Sequence, residues 1–126
     1  MNDKEKRILV FNKFNGRCAY CGCMIEFDKF HVDHIEPKYR GYTNDQLIKY
    51  NMKVKKGSDK IENLFPSCAS CNSSKSTFTV EKWRIELELK KQRIKRDSST
   101  YNILLRYVCI IETNNPILFY FEKCKL

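Results

Sequence analysis

No apolar run in the chain approaches the roughly 18 consecutive residues that a membrane-spanning helix needs, so no membrane association is expected. Nor does the opening, MNDKEKRILVFNKF, have the apolar core of a secretory signal. The expectation is a soluble, cytoplasmic protein. Internal repeats and low-complexity tracts are absent too, and 126 residues leave no room for a second independent core. The reading is one domain over 1–126, with its chemistry in about 11–80 and an extension over about 81–126.

An even number of cysteines is also lacking. Seven cysteines without an export signal do not read as a disulfide framework; clustered thiols in a reducing compartment usually mean metal. Four of them form two Cys-x-x-Cys pairs, Cys18 with Cys21 and Cys68 with Cys71, while Cys23, Cys109 and Cys124 stand apart. Acidic residues are scarce in one place: residues 38–96 hold 15 Lys or Arg against 6 Asp or Glu, and the flanks on either side balance. The whole net charge of +9 therefore lies in the middle of the chain, which favours a polyanion, most often a nucleic acid.

Local patterning gives a coarse map. Ile8, Leu9, Phe11 and Phe14 fit an amphipathic helix over Asp3 to Phe14, stopped by Asn15-Gly16. CAYCGC is a tight turn, and FHVDHI, closed by Pro37, reads as a short strand. Residues 38–60 read as a long basic loop with a helical turn near Gln46 to Tyr50, and IENLFPSC resumes an extended path. Val80 to Arg96 is a helix ending in KKQRIKR, which has more bases than capping requires. After a break at Asp97 to Thr100, a helix over Tyr101 to Ile111, a turn at TNNP and a final strand ILFYFE complete the reading.

Two Cys-x-x-Cys turns can each supply half of a zinc tetrahedron, so Cys18, Cys21, Cys68 and Cys71 are the expected structural zinc ligands. With 46 residues between Cys21 and Cys68, something is folded between the knuckles. Cys23 is an alternative to Cys21. A rival grouping of Cys18 and Cys21 with His31 and His34 would make a two-cysteine, two-histidine finger. Its spacing is wrong, with nine residues from Cys21 to His31 and two between the histidines, and it would leave Cys68 and Cys71 unused.

In order along the chain, Cys18-Cys21, the Asp33-His34 pair, Asn63 in IENLFPSC, and CASCNSSK resemble the HNH endonucleases of the ββα-metal type. The resemblance implies an α+β fold, a ββα-metal finger with zinc knuckles flanked by N-terminal and C-terminal helices. It aligns His34, Asn63 and Asn72 with the three name positions, Asn72 standing where many members have histidine. It further implies cleavage of DNA to 5′-phosphate and 3′-hydroxyl ends, in a bacterial or phage context where packaging, restriction, homing and repair are all represented.

The residue chemistry agrees. Phosphodiester hydrolysis needs an activated water, a countercharge on the phosphate and help for the leaving oxygen. His34 can accept a proton at neutral pH, and Asp33 and Asn72 offer oxygens to one Mg²⁺ or Mn²⁺, which keeps several waters of its own. Asp33 and His34 point to opposite sides of a regular strand, so converging on one phosphate requires the strand to end or bend there. Asn63 is expected to tie the loop that holds His34. Lys75, Lys38, Arg40, Lys53, Lys55 and Lys56 are expected to meet DNA backbone, with Arg17 and Glu36 as minor participants and His31 a plain strand residue. One site per chain raises the expectation of a homodimer or a larger phage or restriction assembly. The competing reading is a noncatalytic zinc-stabilised module that binds nucleic acid or protein.

Overall fold

Helix α1 (Asp3–Asn12) begins on a reciprocal cap in which the Asn2 side chain accepts from the Glu5 amide and the Glu5 carboxylate accepts from the Asn2 amide. It ends at Asn12, slightly before the expected Phe14, and Asn15 and Gly16 then take positive φ angles of 53° and 78°. The computed structural model describes residues 1–39, 43–49 and 56–125. Two polar side chains of α1 anchor it to the segments that flank the sheet. Arg7 donates to the carbonyls of Phe27 and Phe30 and lies 3.9 Å over the Phe30 ring. Lys13 donates to the carbonyls of Ile61 and Leu64.

Strands β1 (His31–His34) and β2 (Leu64–Ser67) form an antiparallel pair in which His31 faces Ser67, Val32 faces Pro66, Asp33 faces Phe65 and His34 faces Leu64. Between them lie α2 (Asn44–Lys49), near the helical turn expected there, and a 3-10 turn over Ile61–Asn63. Pro66 can occupy a strand because its carbonyl faces outward, accepting from the Ala19 amide at 2.9 Å, so its missing N–H lies on the edge away from β1. The first cysteine turn thereby covers the free edge of β2.

Helix α3 (Ala69–Lys75) follows β2 directly and completes the ββα unit. Helix α4 (Val80–Asp97) is capped by Thr79, whose hydroxyl accepts from the Lys82 amide. The break after it narrows to Ser98, which ends α4 and caps α5 (Ser99–Arg106). Among the described residues no helix is long and apolar enough to cross a membrane.

The end of the chain departs from expectation. The helix expected over Tyr101 to Ile111 stops at Arg106, and ILFYFE is not a strand: an irregular segment leads into a short helix, α6 (Tyr120–Lys123). Aromatic and β-branched residues gave ILFYFE its strand character, but the β2 edge it could have joined is taken by the cysteine turn. The tail instead bonds that turn, with the Tyr120 amide donating to Tyr20 and the Phe121 amide to Ala19 at 2.9 and 2.8 Å. Phe119 stacks on Trp83 with centroids 4.7 Å apart, and Arg84 fixes the segment through the Ile117 carbonyl and Glu122.

Two apolar clusters result. One gathers Cys18, Tyr20, Trp83 and Phe119, with Phe65, Leu87 and Phe121 around them. The other gathers Val10, Phe30 and Leu64 under α1. Full burial of a single phenylalanine contributes about 1.5 to 3 kcal/mol, so Phe119 anchors the tail more than α6 can.

Candidate functional site

The four expected thiols converge. The sulfurs of Cys18, Cys21, Cys68 and Cys71 all lie within 4.8 Å of one another, and Cys21 and Cys68 are 3.8 Å apart. A zinc tetrahedron with Zn–S bonds of about 2.3 Å has sulfurs about 3.8 Å apart, so the donor set fits zinc. Local backbone explains the convergence. In the first turn the Gly22 amide donates to the Cys18 carbonyl and the Cys18 amide to the Cys23 carbonyl. Gly22 sits at φ 79°, where a Cβ would also press on the Tyr120 ring. In the second, Cys68 is the N-cap of α3, its sulfur accepting from the Cys71 amide at 3.4 Å.

Hydrogen bonding with the Cys71 thiol holds the Cys18 thiol down to about 4, against the effect of burial and with help from the amides of Cys21, Cys68 and Tyr20. The same pairing, and then burial, pushes Cys71 up. Thiolate is the metal-binding form, and the hydrogen bonds at Cys18 favour it. Cys23 is exposed and lies outside the four-sulfur group. Desolvation, then the neighbouring Cys21 and Cys68, pushes it up to about 12. The histidines are outside that group as well, which disposes of the two-cysteine, two-histidine grouping.

Beside this centre, β1 divides Asp33 from His34. The strand is regular through both residues, so they face opposite sides as the alternation required. Asp33 turns inward and is 6 % exposed. Its Oδ2 accepts from the Tyr20 hydroxyl at 2.5 Å and lies 3.1 Å from the Lys75 ammonium. Burial, and then the charge of Asp33, pushes the Tyr20 phenol well above its usual range, so it remains a donor. Lys75 is completely buried and also donates to the His34 carbonyl at 3.0 Å. In this arrangement Lys75 faces Asp33, not solvent. Asn72 lies one turn before Lys75 on α3 and is half-buried.

His34 turns outward into a cleft of about 440 Å³ that is lined by Lys6, Arg7, Val32, Asp59 and Leu64 as well. Its Nε2 lies 2.9 Å from Asp59 Oδ1, and Asp59 Oδ2 accepts from Lys38 at 2.7 Å. Hydrogen bonds first from Lys38 and then from His34 hold the Asp59 carboxyl down to about 2. Lys38 thus meets an acid of its own chain. Asn63 ties the two sides of the loop: its carbonyl oxygen accepts from the Glu36 amide, and its amide donates to the carbonyls of Glu36 and Ser58.

Arg40, Lys53 and Lys55 lie outside the described residues, and Lys56 lies inside them. The basic end of α4 is largely paired: Lys91 with Glu88, Lys95 with Glu112, and Arg96 with Asp97. Sequence reasoning missed Asp59, Tyr20 and Lys6. Tyr20 carried one signal, its place inside Cys-x-x-Cys, and Asp59 another, the glycine two positions before it; Lys6 carried none beyond its charge.

A ββα unit held between two cysteine knuckles, with an Asp-His pair on its first strand, is the arrangement of the HNH endonucleases, and residues 18–78 match the model of that family, HNH endonuclease. That match spans just under half of the chain and takes in both cysteine pairs, β1, β2 and α3. Among individual proteins, YoqL of Bacillus subtilis (strain 168), a SPbeta prophage-derived protein named as an HNH endonuclease, is 34% identical over 81 residues, covering 56% of this chain and 27% of that protein. The chain thus spans about a quarter of that relative's length. A Type II-C Cas9 enzyme from Actinomyces naeslundii is similar over 65% of this chain and 8% of its own, at 24% identity and a TM-score of 0.48. A superposition that loose carries no chemistry across.

Proposed function

We propose that this chain is a metal-dependent endonuclease hydrolysing phosphodiester bonds in DNA. The observation that supports this best is the division at β1, where neighbours face two environments: Asp33 a buried one shared with Lys75 and Tyr20, His34 an open cleft. Because β1 ends at His34, an ion held by Asp33 and the base His34 can meet one phosphate around that strand end.

In this reading His34 accepts the proton of the attacking water, work for which an imidazole is suited near neutral pH. Both contacts to Asp33 use Oδ2, so Oδ1 is the oxygen it would offer to Mg²⁺ or Mn²⁺, with Asn72 as the second protein ligand. An ion there would supply positive charge opposite the phosphate and the departing 3′ oxygen, with most of its coordination left to water. Lys75 limits the negative charge at Asp33 and, through the His34 carbonyl, fixes the strand end that carries the base. Asn63 holds the loop against that strand end. The DNA backbone is assigned to Lys6 at the cleft and to the basic stretch Arg40, Lys53, Lys55 and Lys56, while Lys38 is engaged by Asp59. Products carry 5′-phosphate and 3′-hydroxyl ends, and cutting both strands calls for two copies or two encounters.

The test is plasmid cleavage in Mg²⁺ or Mn²⁺ beside His34→Ala. Wild type should nick, and the variant should lose on the order of 10²-fold or more in rate while binding DNA unchanged. Plasmid left whole by the wild-type protein in both metals, with binding retained, would make this a noncatalytic zinc-stabilised module.

A further inference from the structure

Asp59 belongs to no cysteine knuckle and to no strand, yet it is the side chain that meets His34. Three features hold it there. The Gly57 amide donates to the Pro37 carbonyl at 2.9 Å, and a Cβ at Gly57 would collide with the Glu36 carbonyl, so the returning loop lies flat on the end of the outgoing one. Asn63 clamps Ser58 to Glu36 through three hydrogen bonds. Lys38 occupies the second oxygen of Asp59. The carboxylate therefore has one oxygen for a cation and one for the imidazole.

We propose that Asp59 is a positioning residue for His34: it holds the proton on Nε2, fixes the ring, and leaves Nδ1 as the nitrogen that accepts the water's proton. This rests on the nuclease reading for its consequence in catalysis, though not for the ring geometry. It also gives Asn63 and Gly57 a task, since both place the 57–59 segment against 36–38. A carboxylate can only accept from the ring, so it selects the Nε2–H tautomer; an oxygen already bonded to Lys38 cannot swing away without breaking that pair.

The geometry makes an unusual prediction about two variants. In Asp59→Asn the amide keeps one acceptor, and the Lys38 ammonium takes it. The NH₂ group then faces His34 Nε2, which must be bare, and the proton moves to Nδ1, the nitrogen needed as base. In Asp59→Ala the ring is unguided but free to adopt either tautomer. The isosteric variant should therefore be the worse one. A wrong-tautomer substitution in a serine protease triad costs about 10⁴-fold; here Asp59→Asn should lose on the order of 10² to 10⁴-fold in kcat, with KM little changed. Asp59→Ala should lose less, and Lys38→Ala added to Asp59→Asn should restore part of the rate by letting the amide turn its oxygen to the ring.

Long-range ¹H–¹⁵N spectra of the intact chain read the ring directly. Wild type should show His34 protonated on Nε2, and Asp59→Asn should shift it toward Nδ1. A protein that cuts no DNA but shows this tautomer exchange supports the positioning role and sinks the nuclease reading alone. Asp59→Asn matching or exceeding Asp59→Ala in rate, or a His34 tautomer indifferent to residue 59, overturns the proposal.

Discussion

Replacing Lys75 by methionine keeps most of the side-chain volume and removes one charge from the interior. Lys75 has no exposed surface, and its ammonium makes two contacts: Asp33 at 3.1 Å and the His34 carbonyl at 3.0 Å. Asp33 is itself 6 % exposed. After Lys75→Met its carboxylate keeps only the Tyr20 hydroxyl, and an uncompensated charge stays buried. Breaking such a pair from one side costs about 3 to 5 kcal/mol, a large share of the roughly 5 to 15 kcal/mol that holds a domain folded. With a urea m-value of about 1.5 kcal/mol per molar for a chain this size, the unfolding midpoint should fall by about 2 to 3 M. The measurement is equilibrium urea unfolding with zinc saturating, so that the knuckles stay closed in both proteins. The companion variant, Asp33→Asn with Lys75→Met, removes both charges and should recover most of the loss, to within about 1 kcal/mol of wild type. A Lys75→Met midpoint within about 0.5 M of wild type would refute the buried pair and return Lys75 to the surface as a phosphate contact.

Metal analysis should find about one tightly held zinc per chain, and Cys68→Ser or a strong chelator should unfold the knuckles, because a closed zinc site contributes folding free energy directly; equally stable metal-free protein would refute the site. Gly57→Ala places a Cβ against the Glu36 carbonyl, so it should displace the 57–59 segment and break the His34–Asp59 contact, read as altered His34 ring shifts with the knuckles intact. The Asp59 carboxyl is held down to about 2, below its ordinary value near 4. A depressed folded pKa means that the pairing is fully present above about pH 4 and is lost as pH falls through about 2; ¹³C titration of the Asp59 carboxyl should show that midpoint, and one near 4 would mean that Lys38 and His34 do not hold it.

The four-cysteine cluster and the opposed Asp33-His34 pair were legible in the sequence because each is a local signal. Cys-x-x-Cys spacing states its geometry within four residues, and the alternation of a strand already put Asp33 and His34 on opposite faces. Lys75 was legible only as a charge on the Asn72 side of a helix. Its burial depends on β1 lying across α3, which no spacing records. Asp59 was hidden for a similar reason: it lies 25 residues from His34 in sequence, in a stretch with no period, and the only hint was the glycine two positions before it. ILFYFE was misread because strand propensity reflects fit to a sheet face with a free neighbouring edge, and here the only described sheet has two strands, one of whose edges is bonded by Ala19.

Both partners of the buried Asp33 hang from the cysteine knuckles. Tyr20 lies inside the first, between Cys18 and Cys21, and Lys75 rides on the helix that Cys68 caps. Opening the four-cysteine cluster would thus loosen Asp33 from two directions at once. The surroundings of Asp33 are therefore only as fixed as the four-sulfur cluster from which Tyr20 and Lys75 are hung.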